Sequence, residues 1–548
     1  MSAVIKKGLD CFVLYSDAES TLITLKQLKE ESLVNRIYVL MRGEEECPFM
    51  GCDVMRIGDM NESATVRKVA AAVEAPYALI CFEPVKVKFG YQAIKRMVSV
   101  AESVAPAAVY ADRYVIKNGQ RVASPTMDFY YGSVRDDFDF GPVCLFSSST
   151  IKKYVEDCPA AEYKYAGWYD VHLFFLRRKR LESLFHIREY LYTEEAVDLR
   201  ESGEKQFDYV DPRNREVQLE KEKIFTEHLK QIGAYIEPES IVEVSVEKHL
   251  FDKEATVIIP VRNRVKTIED AVKSALMQRT SFEFNVMVVD NHSSDGTSDV
   301  VAKLAETDSR VLHIIPNRDD LGIGGCWALA FNDKRCGRFA VQLDSDDLYS
   351  SPDTLQKIVD KFYEEHCGMV IGSYRMCNFQ LETLPPGLID HREWTAENGH
   401  NNALRVNGLG APRAFYTPLL RKIGMPNTSY GEDYAVGLSF CRKYKIGRIY
   451  EELYLCRRWE GNSDAALSPE QVNKNNIYKD SIRTMEIVDR CRLNDYWQEG
   501  IANEQVCQLF DTQLKTWALA REHYEQLSSA VVETFTTDEC DVAVQFNP

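Results

Sequence analysis

The sequence predicts an α/β protein in which two domains with mainly parallel sheets stand in tandem, followed by a helical C-terminal tail. Three observations predict it. Apolar strands alternate with helical stretches, the pattern of parallel sheets covered by helices. Acidic or polar turns follow the strands at their carboxyl ends, where such sheets bind ligands. The second half also repeats the first in order and spacing.

In the second half, a buried strand over 255–260 is followed by a helical stretch over 265–277 and a strand over 285–290. A polar turn at 291–297 leads to a helix over 298–306 and a strand over 311–315. A Gly-rich turn and helix at 321–333 precede a strand over 338–343. Pro260, Asp290 and Asp344 thus fall at strand ends. The first half shows strands at 11–15, 35–41 and 77–82 with helices at 22–30 and 63–73. Gly167-Trp-Tyr-Asp170 then precedes a helix, as Tyr430-Gly-Glu-Asp433 does later. Glu83 and Asp170 are 87 residues apart, and Asp344 and Asp433 are 89 apart. The expected domains are 1–236, ending in a charged helix over 211–230 that bridges the halves, a linker at 237–252, a domain at 253–470 and a tail at 471–548. The tail reads as helical by period from 473 to 535 and carries no chemical signature.

The net charge of −18, without a long basic run, argues against nucleic acid or an anionic membrane as a general partner. An acidic chain that binds a polyanion needs local positive charge, which a bound cation supplies. The fifteen cysteines fall in no zinc-like spacing, as expected for reduced thiols in a cytoplasmic protein. No apolar run approaches the roughly 20 residues of a membrane helix. Peripheral membrane association and oligomerisation stay open.

The strongest chemical signal is Val341-Gln-Leu-Asp-Ser-Asp-Asp-Leu348. Carboxylates two residues apart at a strand end can converge on one hard cation; alone, they better describe a solvated acidic turn. Upstream lie Thr256-Val-Ile-Ile-Pro-Val-Arg-Asn263, Val286-Met-Val-Val-Asp-Asn-His-Ser-Ser-Asp-Gly-Thr297 and Gly322-Ile-Gly-Gly325. Downstream, Gly410-Ala-Pro-Arg-Ala-Phe-Tyr416 leads to Glu432-Asp433, which alone reads as an acid pair at a helix N-terminus. Arg457-Arg458 opens a polar loop.

In order and spacing, these motifs resemble the family 2 glycosyltransferases of the GT-A fold over 256–464. The resemblance implies a nucleotide pocket walled by Pro260, Val261, Arg262, Asn263 and Gly322, with Asp290 bonding base or ribose. It makes Asp295 a support behind that wall. It places Asp344 near ribose and metal and Asp346 on the metal, Mn2+ or Mg2+. Asp433 is implied as the general base with Glu432 beside it, and Arg457 and Arg458 as part of a loop over the diphosphate. Where family members often carry an Arg-Asn pair, this chain has Trp327 and Ala328, which leaves the nucleotide contacts open. The expected reaction moves a sugar from a UDP- or GDP-sugar to a hydroxyl of a glycan or related acceptor in polysaccharide biosynthesis, with inversion.

In the first half, the same alignment sets Tyr15 at Pro260, Met41 at Asp290 and Glu83-Pro-Val at Asp-Ser-Asp, so one metal carboxylate is missing. An inactive copy that scaffolds or binds acceptor, a second transferase, and an unrelated domain all remain open. Two rivals to the whole reading also stand. A sugar nucleotidyltransferase would need a glycine-rich basic loop after the first strand, where this chain has Pro-Val-Arg-Asn-Arg. A non-catalytic nucleotide-sugar or glycan-binding protein would bind without turnover.

Overall fold

The computed structural model describes residues 8–177, 184–196, 215–246, 250–392, 394–459, 462 and 467–494. The first sheet holds β1 (Leu9–Leu14), β2 (Val34–Met41), β3 (Asp53–Arg56), β4 (Tyr77–Cys81), β5 (Val85–Phe89), β6 (Ala108–Lys117), β7 (Gln120–Ser124), β8 (Val143–Ser147) and β9 (Leu184–Ala196). The second holds β10 (Ala255–Val261), β11 (Phe284–Asp290), β12 (Val311–Ile314), β13 (Phe339–Gln342), β14 (Leu348–Tyr349), β15 (Met369–Cys377), β16 (Thr383–Ile389), β17 (Arg413–Tyr416) and β18 (Ile446–Arg457).

Their orders are β3-β2-β1-β4-β8-β6-β9-β5, with β7 on β6, and β12-β11-β10-β13-β17-β15-β18-β14, with β16 on β15. Each strand of the first sheet has its counterpart nine labels later. The sense of every pairing agrees too. The strands around β1 and β10 are parallel, and β8 and β17 are antiparallel to both neighbours. This is the tandem GT-A-like plan expected from the sequence. β1 and β10 are central and covered on both faces, so their residues are buried almost without a break.

Pairing register corrects the sequence alignment of the halves. Leu9 pairs with Tyr77 as Ala255 pairs with Phe339. Carried along the strands, this sets Leu14, not Tyr15, at Pro260, and Phe82, not Glu83, at Asp344. Met41 stays at Asp290. Glu83 then matches Ser345 and Pro84 matches Asp346, so neither Asp344 nor Asp346 has a carboxylate counterpart. Residue type could not reveal this, because a one-residue slip keeps the apolar run intact while exchanging the faces.

Helix Arg215–Ile232 contacts both halves: Glu220 accepts from the amides of Lys164 and Tyr165, while Glu222 accepts from Asn398. Helix Pro469–Leu493 begins at Ser468, whose hydroxyl accepts from the Gln471 amide. It too lies between the halves. Asp480 bonds Ser133, Thr484 accepts from the Gly132 amide, and Arg490 donates to the His400 carbonyl. One apolar cluster runs from Phe12 and Phe225 through Trp327 to Ile482. The tail expected beyond Asn494, and residues 211–214 of the charged stretch, lie outside the described residues.

Candidate active site

A cavity of about 540 Å3 opens at the carboxyl ends of β10 and β13. Pro260, Val261, Arg262, Gly322, Asp344, Asp346, Glu432, Asp433 and Arg458 line it. The structure does not bring Asn263, Asp290 or Arg457 to its wall.

The reasons are local. Asp290 is fully buried, and its carboxylate accepts from the Ser293 amide (3.0 Å), the Ser298 hydroxyl and His313 Nε2 (3.3 Å). Asn263 turns the chain with φ of 54°, and its side-chain oxygen accepts from the Ser294 amide. Asp295 accepts from the amides of Val265 and Thr297, so it ties the turn after β11 to the loop after β10. Arg457 ends β18 and is buried. Its amide donates to Asp347 (2.8 Å), its Nε to the Asp346 carbonyl, and its Nη1 lies 3.2 Å from Asp270. Much of the loop beyond it, 460–461 and 463–466, lies outside the described residues.

The acidic turn is held from several sides. The Asp344 amide donates to the Tyr454 hydroxyl (2.9 Å), and the Asp344 carboxylate accepts from Gln342 Nε2. Asp346 accepts from Trp459 Nε1 (3.1 Å) and Asn462 Nδ2 (3.2 Å). Burial raises the pKa of Asp344, with Arg413 opposing. Burial and the neighbouring Asp344 and Asp346 push Asp347 well up. Crowded carboxylates of this kind fit a divalent cation. No group of three His, Cys, Asp or Glu side chains forms a complete cage among the described residues. Two carboxylates that leave the remaining ligands to substrate phosphates and water are the ordinary holding of Mg2+.

The opposite wall is the N-terminus of helix Glu432–Cys441. Asp433 pairs with Arg413 Nη1 at 2.9 Å and accepts from the Tyr434 amide. Burial raises its pKa, but Arg413 and Lys479 outweigh burial and hold it below the ordinary value. Glu432 is pushed up to about 8, by burial first and then by Asp433, and its buried Oε2 has no hydrogen-bond partner. Two adjacent carboxyls thus take opposite protonation states near neutral pH.

Glycines set this wall in place. A Cβ on Gly324 would stand 1.9 Å from the Pro426 carbonyl oxygen, and one on Gly322 would meet the Thr428 backbone at 2.6 Å. Helix Ile323–Asn332 therefore presses directly on the segment that delivers Glu432 and Asp433. Trp327 is buried and also lines the cavity.

Sequence reasoning missed Arg413 and Lys479. Lys479 donates to the Asn407 carbonyl (2.6 Å) and sits over the rings of Tyr430 and Tyr434. It comes from a helix whose sequence carries no recognisable motif. Arg413 lay within a recognised motif, but its pairing with Asp433 joins the start of β17 to a helix N-terminus and has no local signal.

A family model for glycosyl transferase family 2 matches residues 256–415. The putative teichuronic acid biosynthesis glycosyltransferase TuaG of Bacillus subtilis is 31% identical over 192 residues, 34% of this chain and 72% of that protein. The chain belongs to glycosyltransferase family 2. An uncharacterized glycosyltransferase of Rickettsia conorii is 27% identical to this family 2 chain over 230 residues, 41% of the chain. The chain spans 36% of the length of that relative. Among solved structures, TarS of S. aureus in complex with UDP-GlcNAc shares 23% identity at a TM-score of 0.33, covering 43% of this chain and 72% of that one. No helix among the described residues is long and apolar enough to cross a membrane.

Proposed function

We propose that the second half of this family 2 glycosyltransferase, 253–470, is the catalytic domain. In this reading it transfers a sugar from a UDP- or GDP-sugar to a hydroxyl of a glycan or related acceptor, with inversion. The observation that carries the reading is that Asp344 and Asp346 share one cavity with Glu432 and Asp433, with Arg413 between the two groups. The name of the B. subtilis relative supports a place in polysaccharide biosynthesis. The cysteines resolved among the described residues are free thiols, which supports a cytoplasmic setting.

Asp433 is ionised and takes the proton from the acceptor hydroxyl. That oxygen forms its bond to the anomeric carbon as the bond from carbon to the diphosphate oxygen breaks on the opposite face, and the electron pair leaves with the nucleoside diphosphate. One in-line displacement inverts the centre. Asp344 and Asp346 would hold Mn2+ or Mg2+, which supplies charge neutralisation at the departing diphosphate. Arg458 adds a positive side chain on the same wall, and Pro260 to Arg262 with Gly322 shape the nucleotide end.

Release of nucleoside diphosphate from a panel of UDP- and GDP-sugars, with Mn2+ and with chelator, tests this. Metal-dependent release lost in the Asp344→Ala, Asp346→Ala double variant supports the reading. Release that survives both chelator and that variant sinks the site assignment. Tight donor binding with no release in the presence of acceptors would favour a binding protein.

A further inference from the structure

A second cavity, about 1160 Å3, lies in the first half where the register sets the lost donor site. It exceeds the roughly 300–1,000 Å3 usual for small-ligand pockets. Phe82 stands in it at the place of Asp344, edge-on to Trp168 with ring centroids 4.9 Å apart, and Phe146 lies 5.6 Å from the same Trp168. Tyr110 and Phe140 extend the aromatic lining. Tyr430 and Lys479 line this cavity and the catalytic one alike.

Charge decides what it can hold. Glu83, Asp136, Asp137 and Asp139 line it with Lys221 and Lys479, and Asp136 pairs with Lys221 and Arg405, Asp137 with Arg135 and Asp139 with Arg113, so acceptor oxygens are plentiful and no cluster of unspent cations is left to hold a diphosphate. Burial raises the pKa of Asp136, but Lys221 and Arg405 outweigh it and keep the carboxylate ionised. Asn407, Asn475 and Asn476 add amides to the wall. An acyl chain would strip water from these groups and return no partner, which is costly. A neutral sugar chain suits both surfaces: its C–H faces pack on aromatic rings, and its hydroxyls donate to carboxylates and amides.

We propose that this cavity is a subsite for a neutral oligosaccharide acceptor, whose reacting end leads past the Tyr430–Lys479 contact, shared by both cavities, toward Asp433. The word acceptor rests on the transferase reading above; the binding of glycan does not. The degenerate half would then supply substrate positioning in place of the donor binding it has lost.

The test is saturation-transfer NMR on the full chain with cellotetraose, chitotetraose and mannotetraose, and with octyl glucoside as an alkyl probe. At least one tetrasaccharide is expected to bind, more tightly than its disaccharide. Trp168→Ala should weaken it by about tenfold, the scale of one lost aromatic contact. Val217→Phe should do the same by adding bulk to the lining, and Val217 is half-exposed on its helix, so that change leaves the core undisturbed should Trp168→Ala fail to fold. Absence of binding by all three tetrasaccharides overturns the proposal. So does binding indifferent to both substitutions, or octyl glucoside binding through its alkyl chain where the tetrasaccharides do not bind. UDP and GDP binding in Mn2+, measured separately by calorimetry, tells the two readings apart. Nucleotide binding without glycan binding sinks this inference alone; glycan binding without nucleotide binding sinks the transferase reading and leaves the subsite standing.

Discussion

Glu432 and Asp433 are neighbours in sequence, yet their surroundings separate them. Arg413 and Lys479 draw Asp433 down, while burial and the Asp433 charge push Glu432 up to about 8. Asp433→Asn is therefore expected to cost between about 10²- and 10⁴-fold in kcat, the range of a lost general base. Glu432→Gln copies the protonated form and should keep most activity at pH 7; a loss as large as that of Asp433→Asn would transfer the base role to Glu432. The two proteins should also differ in stability. A carboxyl whose pKa rises on folding contributes stability below its ordinary value of 4.5 and loses it as pH climbs through about 8. Denaturant unfolding should accordingly show Glu432→Gln gaining on the wild type across that window, and parallel curves would contradict the assignment. The pair was legible in the sequence because it stands at a helix start beside a Gly. Its division of protonation was not, because Arg413 and Lys479 reach it from a strand and a helix far away along the chain.

Among elements, two behave differently from their sequence patterns. The turn around Gly322 to Gly325 is too poor in glycine spacing for a dinucleotide motif, and its use is packing: Gly324 admits the Pro426 carbonyl. Gly324→Ala should cost about 1–3 kcal/mol by overpacking and displace Glu432 and Asp433, read as a lower melting temperature together with a fall in kcat. A change in stability with unchanged kcat would separate the turn from the site. Helix Pro469–Leu493 carries Lys479, Arg483, Glu486 and Arg490 on one buried face. Hydrophobic periodicity reads such a face as solvent-exposed, which is why its position between the halves was not legible in the sequence. Arg483 pairs with Asp480 at 2.8 Å and donates to the Leu404 and Val406 carbonyls. Arg483→Ala leaves Asp480 buried with less compensation, and roughly 3–5 kcal/mol of stability should be lost. A loss below 1 kcal/mol in chemical denaturation would show that the ion pair is replaceable.

At the scale of the molecule, two sheets share one strand order while their strand-end chemistry has diverged. The order of helices and strands was legible because periodicity survives substitution. The exact correspondence of the ends was not, because register depends on pairing partners rather than residue type. The shared apolar cluster has a practical consequence: a fragment limited to 253–470 would expose the faces that Phe225 and Ile482 cover. Expressed alone, it should aggregate or bind a hydrophobic dye, and co-expression with 1–252 should not rescue activity without the helix that carries Lys479. An active, monomeric 253–470 fragment would refute that dependence.

Lys479 also has a place in time. The eighteen strands among the described residues all precede it in the chain, so a ribosome making this protein completes both sheets before it completes the pocket. Any nascent or prematurely terminated chain that stops short of this helix carries the acidic turn and the carboxyl pair but lacks the last wall around them. A truncation before this helix should therefore lose whatever binding depends on the wall that Lys479 supplies, however complete the two sheets are.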